Sequence, residues 1–159
     1  MGDGAWPIHT LVASRAWCAP HREAGFSTRS LAAAASRFGA VDVVVPGEPA
    51  ALRPDGGFDL LPIGNGGDDP ADSARTGAEA PDGTGRDPLP TWPAVDRAVW
   101  SPTAPYDIAL LESGDAGAAG LLSHYLPSVP TIAIVSTDPL DVGHPVDRAC
   151  SGTVAVGIC

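Results

Sequence analysis

Ile8 to Ser14 and Val41 to Pro46 are two short, almost wholly apolar runs, and the segment between them carries apolar residues at helical spacing. A run that is apolar throughout suits a strand covered on both faces, as in a parallel sheet, rather than one that alternates between core and solvent. Ser27 or Thr28 can cap a helix whose Leu31, Ala34, Ala35 and Phe38 keep the 3.6-residue period, and Gly39 falls where a left-handed C-terminal cap belongs. The sequence therefore predicts strand, helix and strand as one βαβ unit. That unit forces a parallel sheet, and in such sheets ligands sit where loops leave the carboxyl ends of strands.

A second unit follows the same logic. Asp107 to Leu111 and Thr131 to Val135 are apolar strands, separated by a helix that Asp115 can cap and whose Leu121, Leu122, Tyr125 and Leu126 form an apolar stripe. Phe58 to Ile63 is a further short strand after the turn Pro54-Asp55-Gly56-Gly57, despite Pro62, and Thr153 to Ile158 reads as a last strand after a helical turn near Val146 to Cys150. Between the units the composition shifts. Residues 65 to 105 hold seven Pro, five Gly and seven acids against three Arg, which predicts a loop or a partly disordered insert. Trp92, Val95, Val99 and Trp100 interrupt its polarity at near-helical spacing, so a short helix over Ala94 to Trp100 is expected to dock on the sheet, with the two Trp covering core.

At 159 residues the chain has the length of one domain. It contains no Lys, nine Arg and 19 acids, for a formal charge of −10. Such a field repels polyanions, so nucleic acid is not an expected partner, although an Arg pocket for a single phosphate stays open. Cys18, Cys150 and Cys159 show no paired spacing, which excludes a CxxC zinc or redox site and fits a reduced, cytoplasmic chain. Neither a signal peptide nor about 18 uninterrupted apolar residues is present, so no transmembrane segment is expected. The last strand is still apolar where the chain stops, and the expectation is a first domain of a longer protein or a truncated relative of one.

Several chemistries lack their motifs. No GxGxxG follows a strand, GxxxxGK[ST] is impossible without Lys, and neither GxSxG nor HExxH occurs. No catalytic residue and no metal ligand is assigned. The candidate site is instead the set of polar strand ends: Ser14, Arg15 and the loop to Ser27 after the first strand, Glu112 to Asp115 after the fourth, and Ser136 to Asp138 after the fifth. In a parallel sheet these open on one edge, beside helix amino ends that offer free N–H groups to anionic or hydroxyl-rich ligands. His21 and Arg22 are candidates to hold a substrate phosphate or hydroxyl, and Arg15 and Ser27 in the same loop are further substrate-binding candidates. Gly25 is a backbone device at the helix entry, Asp115 is most simply an N-cap, and Glu112 and Asp138 can orient ligand hydroxyls. His9 is expected to be packed and hydrogen-bonded, His124 a boundary residue of its helix, and His144 a turn residue.

The order of a first strand, a loop with Pro20 and Gly25, a helix, a strand ending Val-Val-Val-Pro, then Tyr106-Asp107-Ile108-Ala109-Leu110-Leu111-Glu112 and Pro130-Thr131-Ile132-Ala133-Ile134-Val135-Ser136-Thr137-Asp138 resembles the amino-terminal domain of family 4 glycosyltransferases of the GT-B fold. The likeness covers most of residues 8 to 159 outside the insert. It implies a single Rossmann-like three-layer α/β domain over residues 1 to 159, with a mainly parallel sheet and helices on both faces. The implied activity is acceptor recognition in hexosyl transfer, with a nucleotide-sugar as co-substrate and no other cofactor. The implied partners are a small-molecule, glycan or lipid acceptor and a carboxyl-terminal domain, without which the chain is expected to be inactive. Members commonly carry paired glycines in the first loop and a histidine near the end of strand five, where this chain has Gly25 alone and Thr137. A non-enzymatic flavodoxin-like binding module and a truncated remnant are the alternatives.

Overall fold

The computed structural model describes residues 7–18, 23–47, 56–66, 89–102, 104–135 and 152–155. The elements are β1 (Thr10–Ala13), α1 (Glu23–Ala35), β2 (Val41–Pro46), β3 (Asp59–Asn65), β4 (Ala98–Val99), β5 (Ile108–Glu112), α2 (Ala116–Tyr125), β6 (Thr131–Val135) and β7 (Gly152–Ala155). They form an α/β structure around one sheet with strand order β4-β3-β2-β1-β5-β6-β7. Six strands are parallel, and β4 adds antiparallel to the edge of β3.

Both expected βαβ units are present, β1-α1-β2 and β5-α2-β6. From β1 the chain winds outward through β2 and β3, then returns past β1 to continue through β5, β6 and β7 on the other side. The direction of winding therefore changes between β1 and β5. Their register sets Ala13 against Leu111, which brings Ser14 and Glu112 to the same level at the carboxyl edge.

Alternate residues of a strand point to opposite faces, and the core divides accordingly. Leu11, Ala13, Val44, Ala109, Leu111 and Ala133 pack with Ala118, Leu121 and Leu122 of α2. Val12, Val43, Val45, Leu110 and Ile134 pack with Ala32 of α1 and with Trp17. β1 is buried throughout, Thr10 included, as a mostly apolar central strand requires. Pro62 is accommodated because β4 reaches only Gly64 and Asn65, so β3 has a strand partner on one side alone at that position.

Four expectations change. The helix α1 spans Glu23–Ala35, so Ser27 and Thr28 lie inside it and neither caps it. Gly39 has no positive φ. It is required instead because any Cβ there would collide with the backbone of Ile8, whose N–H donates to Phe38 O. The helix expected over Ala94 to Trp100 is a single turn followed by β4.

The fourth concerns the insert. Its residues 67–88 and 103 lie outside the described ones, and its return docks with Trp92 and Trp100 against the core, as expected, but on α2 and without the helix. Trp92 lies against Gly117, Val95 Cγ2 is 3.7 Å from where a Cβ on Gly120 would be, and Tyr125 donates its hydroxyl to Ala98 O at 2.5 Å. Trp100 meets Tyr125 edge to face at 5.3 Å. Two glycines three residues apart leave α2 with a shallow face, and the return segment fills it with the side chains that a helix at Ala94 to Trp100 would have carried elsewhere.

Candidate functional site

The polar strand ends of β1 and β5 meet where the winding reverses. Ser14, fully buried, donates its hydroxyl to Glu112 Oε1 at 2.5 Å, and Thr28, one per cent exposed on α1, donates to the same oxygen at 3.1 Å. One carboxylate thus joins the end of β1, the end of β5 and the first half of α1. No hydrogen bond to Glu112 Oε2 is seen among the described residues. Burial raises the Glu112 carboxyl above its ordinary range; the two hydroxyl donors and Arg15 act the other way, while the charge of Asp115 adds to the rise.

Gly114, at φ +76°, makes the turn from β5 into α2. Asp115 then caps α2, as its sequence position predicts: Oδ1 accepts from the Ala118 N–H at 3.0 Å. Its other oxygen accepts from Trp92 Nε1 at 2.7 Å and lies 3.4 Å from Arg15 Nε. The Arg15 Nε–H is buried without hydrogen-bond geometry to any acceptor among the described residues. Asp115 Oδ2 therefore accepts its hydrogen bond from Trp92 and faces Arg15 as an ion pair.

The loop that carries Arg15 is anchored through Trp17. That ring is one per cent exposed, stands edge to face against Phe58 at 5.3 Å, and lies under the Arg29 guanidinium at 4.8 Å. Arg29 also donates to Trp17 O through Nε at 3.0 Å and Nη2 at 2.5 Å. A residue of α1 thereby fixes the chain just beyond β1, which limits how far Arg15 can move.

Of the residues singled out from sequence, Arg15, Glu112 and Asp115 come together. Gly25 and Ser27 do not stand in a loop: they lie inside α1, so Gly25 is not a device at the helix entry. His21 and Asp138 lie outside the described residues. Ser14, also named from sequence as a strand end, joins them, and Thr28 and Trp92 complete the cluster. Thr28 left one signal in the sequence, a hydroxyl at the start of an otherwise Ala-rich helix, where a buried polar group needs a partner. Trp92 left none near Asp115; its partner was marked only by Gly117 and Gly120 on a helix that otherwise has good formers.

His9 is packed as expected, but at the opposite edge: Nε2 is 3.1 Å from Asp42 Oδ2, which also accepts from Tyr106 Oη at 2.8 Å. His124 is exposed in the last turn of α2, with its ring 4.9 Å from that of Tyr125. Among the described residues, no three His, Cys, Asp or Glu side chains are grouped to hold a metal ion, and no helix is long and apolar enough to cross a membrane.

Chemically, the switch point offers a cation in Arg15, a partly buried carboxyl with one oxygen uncommitted among the described residues, and two hydroxyls that orient that carboxyl. Such a set can hold a hydroxyl-rich or singly charged ligand by donor and acceptor pairs. Comparison of the chain with protein-family models, with curated proteins and with solved structures finds no match.

Proposed function

We propose that the chain is a Rossmann-like three-layer domain that serves as the acceptor-side half of a cytoplasmic, family 4-like glycosyltransferase of the GT-B fold. The observation that carries this reading is the convergence of Arg15, Glu112 and Asp115 at the β1 and β5 carboxyl ends, where the strand order reverses. In this reading Glu112 Oε2 and the Arg15 guanidinium orient hydroxyls of a sugar, glycan or lipid-linked acceptor. Asp115 and Trp92 hold Arg15 toward the cleft. The nucleotide-sugar is bound mainly by a second domain across that cleft, so this chain by itself transfers no sugar.

A simple ligand-binding module is the second reading. It is favoured by one feature: Glu112 Oε1 and both oxygens of Asp115 already take protein donors, an arrangement suited to holding a ligand rather than to moving protons. Calorimetric titration with UDP-glucose, GDP-mannose and a panel of free sugars and glycolipid headgroups separates the two. Acceptor binding without donor binding is expected. Donor binding alone reverses the assignment of roles, and transfer by the isolated chain contradicts it.

A further inference from the structure

The amino edge of the sheet holds a second candidate site. Between the starts of β1 and β5 lies an open groove of about 640 Å³ lined by Pro7, Ile8, His9, Pro105, Asp107 and Ile108. That size lies within the range of small-molecule pockets, and the walls have their usual character, apolar with a few fixed polar groups. It is separated from Glu112 by the length of the strands and is independent of the reading given above.

Its polar groups are held in place by backbone and side chain. His9 N–H donates to Asp107 Oδ2 at 2.8 Å, and Asp107 N–H donates back to His9 O at 2.9 Å. The His9 ring is fixed from behind by Asp42 and leans on Tyr106 with ring centroids 4.7 Å apart. Among the described residues, the charged groups named around it are acids, and the titratable His9 is paired with one of them. Asp107 is in the wall, Asp42 is behind His9, and Asp59 acts on Tyr106 together with Asp42. Neither Arg nor Lys lines the groove.

We propose that this groove binds a small organic cation, an amine carried on an apolar body. The apolar part is taken up by the prolines and isoleucines, and the ammonium group by the Asp107 carboxylate next to the His9 ring. An anion of the same shape meets a carboxylate with no compensating cation and is rejected.

The test is NMR titration of the isotope-labelled chain at neutral pH with tryptamine, and with indole-3-acetate as the anion of similar shape. Tryptamine is expected to shift the amides of Ile8, His9, Asp107 and Ile108, and indole-3-acetate to leave them in place. Asp107→Asn keeps an acceptor for the His9 N–H while removing the charge, and is expected to weaken tryptamine about fivefold to tenfold. Ile8→Ala, at a half-exposed wall position, keeps every charge and is expected to weaken it severalfold, which guards against a folding defect in the first variant. Absence of shifts at millimolar tryptamine, equal shifts by both probes, or shifts mapping away from this edge overturns the proposal.

Discussion

Ser14 and Glu112 are 98 positions apart in the chain, yet the Ser14 hydroxyl donates to Glu112 Oε1 at 2.5 Å across the junction of β1 and β5. The parallel register of those strands produces the pair, and Thr28 closes it from α1. Ser14→Ala removes one of the two donors from a partly buried carboxyl and should destabilise the fold by about 1–2 kcal/mol. Urea denaturation at neutral pH measures the loss; the carboxyl resonance of Glu112 should also titrate at higher pH in the variant, because that hydrogen bond favours the ionised form.

Glu112 itself gives the fold a pH dependence whose sign is fixed. Its carboxyl is raised in the folded chain, so the folded state holds the proton more firmly than the unfolded one. The contribution to stability is full below the ordinary carboxyl range and is lost as pH rises through the raised value. Glu112→Gln keeps an acceptor for Ser14 and Thr28 but cannot ionise. It should be more stable than the parent at neutral pH and nearly equal at acid pH, as read from the difference between thermal melts across that range.

Gly117 and Gly120 should respond oppositely to alanine, although both are exchanged for a better helix former. A Cβ on Gly117 would stand 2.8 Å from Trp92 Cδ1 and 3.0 Å from its Cβ, whereas one on Gly120 would meet Val95 at an ordinary 3.7 Å. Gly120→Ala should stabilise by about 0.5–1 kcal/mol through helix propensity. Gly117→Ala should destabilise by about 1–3 kcal/mol through overpacking, and the penalty should shrink in a Trp92→Leu background.

Trp92→Phe isolates the indole N–H from the ring. It removes the donor to Asp115 Oδ2 while leaving most of the packing against α2, and should cost about 1 kcal/mol. Asp115→Ala loses that bond and the N-cap as well, so it should cost about 2 kcal/mol or more. Both are checked by equilibrium denaturation followed by circular dichroism.

The parts of this fold that depend on short-range pattern were readable from sequence. Val41–Pro46 and Thr131–Val135 have the bounds that their apolar runs indicate, and Asp115 caps the helix it precedes. What the sequence did not disclose depends on partners far along the chain. The segment Ala94 to Trp100 has helical spacing, but the open edge of β3 and the glycine face of α2 draw it into one turn and a two-residue strand. Similarly, Gly39 has the position of a helix cap and is a glycine because Ile8 passes over it. In the site, Arg15, Glu112 and Asp115 followed from the rule that strand ends share an edge. Thr28 and Trp92 did not, since a helix residue and an insert residue reach the cluster only once α1 and α2 are packed.

The central claim is that ligands bind at the carboxyl ends of β1 and β5, and amide chemical-shift mapping tests it most directly. The labelled chain is titrated with the sugar or glycolipid headgroup that calorimetry identifies as its tightest ligand, alongside the Glu112→Gln variant. The account predicts shifts concentrated at Ser14, Arg15 and Glu112 to Asp115, with weaker binding in the variant. Shifts that leave those residues unmoved, or affinity unchanged by Glu112→Gln, would contradict it.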